Sequence, residues 1–144
     1  MTEQTRDILI TGASLLGKGA TDIALSRGVI VGIGPDASGA LTDPRVIDAA
    51  GLIALPGLVD MHTHLRQPGG EDAETVFTGT RAAAVGGYTA VHAMANTTPT
   101  QDTAAVVDQV LRLGEAADWV EVRPVGAVTK GLAGKQLAAL GSMA

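Results

Sequence analysis

Leu55-Pro56-Gly57-Leu58-Val59-Asp60-Met61-His62-Thr63-His64-Leu65-Arg66 is the stretch whose reading decides the fold. Pro56-Gly57 interrupts the chain, and Leu58 to Met61 then reads as a buried strand. His62 and His64 stand at its end, two residues apart. In extended backbone such residues leave the same face, so both imidazoles can enter one cavity. Neutral imidazole is the commonest metal ligand. Two that converge are half of a zinc or binuclear site. Arg66 follows two residues later with a planar fork that matches a carboxylate. A lone strand histidine is ordinarily a surface or packed residue. A pair at this spacing beside an arginine instead places a metal next to the anionic end of a substrate.

Downstream of this stretch the pattern alternates. Asp72 to Val85 reads as a helix ended by Gly86-Gly87. Thr89 to Met94 reads as a strand. Asp102 to Ala116 carries Val106, Val107, Val110, Leu111 and Leu113 at helical spacing, with Asp102 near the cap. Val120 to Val128 is strand-like despite Pro124, and Lys135 to Leu140 opens a third helix. This β-α-β-α-β-α order predicts an α/β fold with a parallel sheet. Before Pro56 the chain reads as short strands punctuated by glycine: Ile8 to Ile10, Asp22 to Ser26 and Gly28 to Gly34, then a loop from Pro35 to Pro44. The expected division is a β-segment over 1–54 and the start of an α/β domain over 55–144.

Composition narrows the classes. The 144 residues are 46% hydrophobic and 17% charged, a globular balance. Aromatics are 2%, so any core must be aliphatic. The net charge of −5, without a basic cluster, argues against a nucleic-acid partner. With no cysteine there are no disulfides or thiolate metal sites, which suits a reducing cytoplasm. Met1 to Arg6 is polar and unlike a signal peptide. No apolar run approaches the ~20 residues of a membrane helix. Gly12-Ala13-Ser14-Leu15-Leu16-Gly17-Lys18-Gly19 nearly matches a phosphate-binding loop. However, Gly19 stands where a Ser or Thr must hold magnesium, and no helix pattern follows. A hairpin turn is the expected role of these glycines.

Val46 to Arg66 resembles the amidohydrolase superfamily in its cyclic amidohydrolase branch, and within it the dihydroorotases. Leu65-Arg66-Gln67-Pro68-Gly69, Thr80 to Thr89 and Ala93-Met94-Ala95-Asn96-Thr97-Thr98-Pro99 carry the same resemblance. Gln67 stands where that family usually has an acid and Ala95 where it usually has proline; neither residue carries the chemistry. The resemblance implies a (β/α)8 barrel, of which this chain would hold the first three βα units, preceded by a small N-terminal β-sandwich segment. Such a barrel takes about 250 residues, so the chain is expected to be the front part of a longer protein, broken off at Ala144.

The resemblance also implies roles. His62 and His64 become zinc ligands for one or two ions at the C-terminal end of the first barrel strand. Arg66 and Asn96, with His64 beside them, become the substrate-binding residues that hold the carboxylate of dihydroorotate. Asp60 shares the face of His62 if the strand is regular, and is read as structural. His92 is read as a packed histidine and Lys130 as a loop residue. No catalytic residue is expected within the chain: the other metal ligands and the bridging and proton-shuttling aspartates of the family would lie beyond Ala144. The implied activity is interconversion of L-dihydroorotate and N-carbamoyl-L-aspartate in pyrimidine synthesis, with these residues alone inactive. The implied partners are the small-molecule substrate, a second copy of the chain or aspartate transcarbamoylase. Two alternatives stay open: a hydantoinase, dihydropyrimidinase or allantoinase, and a catalytically silent structural partner of aspartate transcarbamoylase.

Overall fold

The computed structural model describes residues 7–144. The reading of Met1 to Arg6 as a polar lead-in lies outside the described residues. Two compact units result, one ending at Pro56 and one beginning at Gly57.

The first unit is a mixed sheet of β1 (Ile8–Leu15), β2 (Ala20–Ser26), β3 (Val29–Ile33), β4 (Arg45–Asp48) and β5 (Ile53–Ala54). The order is β3-β2-β1-β4, with β5 also on β1. β1, β2 and β3 pair antiparallel through tight turns, whereas β4 and β5 run parallel to β1. The glycine-rich run is not all turn: β1 continues to Leu15, and only Leu16 to Gly19 reverses the chain. Gly12 sits where the register shifts between Ile10 and Ala13; its φ is +72° and its N–H donates to the Asp22 carboxylate at 3.0 Å. Glycine takes that left-handed backbone without a Cβ clash. Leu9, Ala24 and Ala37 form the small core, with Leu41 against it. The described residues of this unit hold one sheet, not the two facing layers of a sandwich. Val29, Ile30, Ile33, Val46 and Ile53 are accordingly exposed.

The second unit is a parallel sheet of β6 (Leu58–Thr63), β7 (Tyr88–Ala93) and β8 (Glu121–Pro124), in that order. Parallel neighbours need crossovers, supplied here by α1 (Val76–Val85) and α2 (Ala104–Ala117). The N-cap of α1 is Thr75, whose side chain caps the Thr78 N–H while Thr78 caps Thr75 in return. The helix therefore begins at Val76, four residues after the expected Asp72. Thr103 is the N-cap residue of α2, without a side-chain capping bond. The Asp102 carboxylate instead accepts the Gly131 N–H at 2.7 Å and ties down the loop beyond β8.

One face of this sheet is covered. Val91 and Ala93 of β7 and Val122 of β8 pack with Val76, Val110, Ala117 and Leu65. The other face is open along β6, and the expectation that β6 is buried fails: Val59 is 51% and Met61 77% exposed.

The third helix is also absent. Lys135 to Leu140 forms a bridge between Leu137 and Thr129 and a short 3-10 turn from Leu140. The Ala138 N–H donates to Val128 O, and Lys130 N–H to Gln136 O, so this stretch folds back as a clamp. A six-residue run behind Gly134 (φ +71°) is too short to repay helix nucleation. The last residues, Ser142 to Ala144, instead return to α2 and line a cleft with Ala104, Val107 and Leu111. The order from Gly57 to Ala144 is therefore β-α-β-α-β: two βα units and a third strand, not three units.

Gly114 sets how closely α2 approaches β8. A Cβ there would lie 2.6 Å from Val122 Cβ, on a stiff β-branched side chain in the core. Ala ordinarily gains about 1 kcal/mol over Gly in a helix, and overpacking costs about 1–3 kcal/mol. Gly114→Ala should therefore lower stability by up to about 2 kcal/mol, read by denaturant unfolding of the intact protein. Val122→Ala should make room for the added methyl and shrink that penalty in the double variant.

Candidate active site

β6 is not regular. Asp60 pairs with Val91 and Thr63 with Ala93. Met61 and His62 thus stand opposite the single His92, a bulge with one extra residue on β6. Asp60 is in register with core-facing Val91. A regular strand would send His62 and His64 to that same face. The bulge moves Thr63 opposite Ala93 instead, with its hydroxyl oxygen buried, and Leu65 enters the core at 3% exposure. His62 and His64 leave on the open face together. Their rings approach to 5.1 Å between centroids at 68°. Asp60 is in register with Val91, so the regular strand on which it would share the face of His62 is not what forms.

Asp60 works through the backbone. Its carboxylate accepts the His62 N–H at 2.9 Å across the bulge. That bond is the first reason its carboxyl is held below the usual carboxylate range. His92 is half-buried, and its Nδ1 lies 3.3 Å from the Asp60 carbonyl. It braces the same bulge from β7 and does not join the pair. Lys130 opens a 3-10 turn after β8.

His64 meets the next loop. Its Nδ1 lies 2.8 Å from Asn96 Oδ1, just past β7. With Nδ1–H donating to that oxygen, Nε2 keeps its lone pair, the tautomer a metal ligand needs. Arg66 is exposed and has φ +63°. The Gln67 N–H donates to Leu65 O at 2.7 Å, closing a three-residue turn around it. The structure thus brings His62, His64 and Asn96 together and puts Arg66 on the turn that follows.

Two imidazoles, one of them oriented by Asn96, are a donor set that suits zinc. Among the described residues, which run to Ala144, no group of three or more His, Asp or Glu could hold a metal ion. The described residues therefore do not by themselves complete a coordination shell.

Sequence reasoning missed the residues that lock the two loops. Thr98 N–H donates to Pro68 O at 2.9 Å. A Cβ on Gly69 would lie 2.1 Å from Thr98 O, so only glycine fits. Gln101 is wholly buried and spans the second loop, its Nε2 donating to Met94 O at 2.7 Å. A buried Gln carries no periodic signal. The Pro68-Gly69 and Thr98-Pro99 dipeptides are the visible hint of fixed loops.

Comparison with known proteins gives the arrangement a family. The sequence profile described as dihydro-orotase-like matches residues 51–144. This chain belongs to that family. A dihydroorotase of Leifsonia xyli subsp. xyli is 58% identical across the whole dihydro-orotase-like chain, which covers 32% of that relative. A dihydroorotase of Streptomyces coelicolor is 54% identical over 94% of the chain and 31% of its own length. The chain thus spans about a third of the curated relatives it matches. Among solved structures, an L-hydantoinase (dihydropyrimidinase) from Arthrobacter aurescens superposes with a TM-score of 0.73 at 24% identity. That match covers 87% of this chain and 28% of that one, and it supports the fold alone. The dihydro-orotase-like chain is a mixed α/β fold with neighbours among the hydantoinases. No helix of its described residues is long and apolar enough to cross a membrane.

The Asp60 bond is open to direct measurement. A depressed carboxyl contributes its hydrogen bond above the ordinary value and loses it only as the pH falls through the lowered one. The carboxyl carbon of Asp60, followed by NMR titration, should therefore show a midpoint below 3.8. Asp60→Asn keeps an oxygen for the His62 N–H and should preserve the bulge, read in the His62 and His64 amide shifts, that Asp60→Ala loosens.

Proposed function

We propose that these residues form the N-terminal third of a zinc-dependent dihydroorotase, which interconverts L-dihydroorotate and N-carbamoyl-L-aspartate in pyrimidine biosynthesis. The observation that carries this reading is the His62–His64–Asn96 cluster beside the Arg66 turn. It joins half a metal site to a carboxylate anchor, in a chain 58% identical to a curated dihydroorotase.

His62 and His64 would hold the zinc, as one or two ions. Bound zinc supplies a Lewis acid and lowers the pKa of its water toward ~7. The chain's own residues orient the substrate. Asn96 accepts from His64 through Oδ1, which leaves its Nδ2 amide to donate to a carboxylate. Arg66 adds a bidentate fork from the turn, so the acidic end of the ring is fixed on one side and the amide faces the histidines. The remaining ligands and the proton-shuttling carboxylate would lie beyond Ala144, in the other two thirds of such an enzyme, so residues 1–144 alone would be inactive.

The same reading accounts for the fold. β6-α1-β7-α2-β8 would open a (β/α)8 barrel over 55–144, with the histidines at the C-terminal strand ends where barrel sites lie. The open face carrying Val59 and Met61 would be the barrel interior. The preceding unit, over 1–54, would be one part of a β-sandwich that further strands complete. A homo-oligomer or an assembly with aspartate transcarbamoylase would fit such an enzyme in the cytoplasm.

The hydantoinase alternative draws on the solved neighbours, but a substrate without a carboxylate gives Arg66 and Asn96 nothing to hold. Arg66→Met in the full-length protein should cut kcat/KM for dihydroorotate about ten- to hundredfold, the loss of a charge-assisted bond worth roughly 1.5–3 kcal/mol. Turnover of uncharged dihydrouracil should change little. Equal losses on both substrates would favour the hydantoinase. The paired His62→Ala, His64→Ala variant should lose zinc and all turnover; a silent structural partner would have shown no turnover to lose.

A further inference from the structure

We infer that Gln67 is a positioning residue for the substrate's carboxylate, pinning the strained turn that carries Arg66 to the first turn of α1. This rests on the reading of Arg66 as the carboxylate anchor.

The turn is unusual. Its closing bond, Gln67 N–H to Leu65 O at 2.7 Å, spans three residues, and its central residue has φ +63°. That is the φ range of the rare, strained form of the γ-turn. A non-glycine residue persists there only where its surroundings over-determine it.

The surroundings do so from three sides. Leu65, before the turn, is locked in the core beside Val76 and Val91. After the turn, Pro68 O accepts the Thr98 N–H, and Gly69 and Gly70 sit against Thr98 O and Arg66 O with no room for a side chain. The third hold is Gln67 Oε1, which accepts the Val76 N–H at 2.9 Å. Val76 is the first residue of α1, and its N–H is one of those a helix start cannot satisfy internally. The bond therefore fixes Gln67 to a rigid element whose Val76 side chain is itself 1% exposed.

The Gln67 bond is made by a side chain, so it can be removed while the backbone bonds, and the Glu71 carboxylate on the Gly69 N–H at 2.9 Å, remain. Its loss would let Arg66 sample more orientations. A planar fork binds a carboxylate well only in one plane, so affinity for a carboxylate ligand should fall while the metal is untouched.

The test uses the full-length zinc enzyme and orotate, a planar pyrimidine with the same carboxylate, with binding read by calorimetry and zinc by elemental analysis. Gln67→Ala should weaken orotate about tenfold and raise KM for dihydroorotate similarly, with kcat and zinc content retained. Gln67→Glu, whose carboxylate can accept the same N–H, should restore both. On an Arg66→Met background, Gln67→Ala should cost nothing further. A Gln67 that merely caps α1 would lower Tm and leave orotate affinity unchanged, which would overturn the inference. So would additive losses in the double variant, or weakened binding in well-folded Gln67→Glu. If Arg66→Met itself leaves orotate binding intact, the anchor reading falls and takes this inference with it. If Arg66→Met weakens binding and Gln67→Ala does not, the inference alone fails.

Discussion

One extra residue in β6 aims the whole site. Two residues, Met61 and His62, stand opposite His92, and every side chain beyond that point changes face. Thr63 and Leu65 go to the aliphatic core under the helices; His62 and His64 go to the open face. Without the bulge the imidazoles would be driven among Val91, Val110 and Val122, where two polar rings would need buried partners. The bulge is held from both strands, by the Asp60 carboxylate on the His62 N–H and by His92 on the Asp60 carbonyl.

The loops extend this logic. The segment after β6 supplies Arg66, and the segment after β7 supplies Asn96. They interlock through Thr98 and Pro68 and through a glycine that admits no Cβ. Asn96 also reaches His64, so the candidate anion anchor and the candidate metal ligand share a hydrogen bond. Movement in either loop is thereby felt at the histidines. This is the preorganisation that a site with widely spaced sequence contributors requires.

Much of this is legible in the residues. The strand-helix alternation after Pro56 gives the order β6, α1, β7, α2 and β8, because α2 has a clear apolar stripe and β7 follows the glycine pair that ends α1; β8 is shorter than expected, ending at Pro124. The His62–His64 spacing points to a convergent pair, and the structure shows their rings together. The bulge is not legible: it contains Met61 and His62, neither of which favours irregular backbone, and it arises from pairing with β7. Strict alternation puts Asp60 and His62 on one regular strand face for that reason. The helix expected at Lys135 to Leu140 reflects local propensity without tertiary context; hydrogen bonds back to Val128 and Lys130 win instead, and the chain runs on to Ala144 beside α2. The exposure of β6 is equally invisible, since an apolar strand reads as buried whether or not its cover is present.

What the open face of β6 binds is the central question. Zinc-edge anomalous diffraction from crystals of the full-length protein with dihydroorotate tests it most directly. The expected result is a metal peak bonded to His62 and His64, and a substrate carboxylate within hydrogen-bond distance of both Arg66 and Asn96. A metal peak elsewhere with both imidazoles free, or a carboxylate turned away from Arg66, would contradict it.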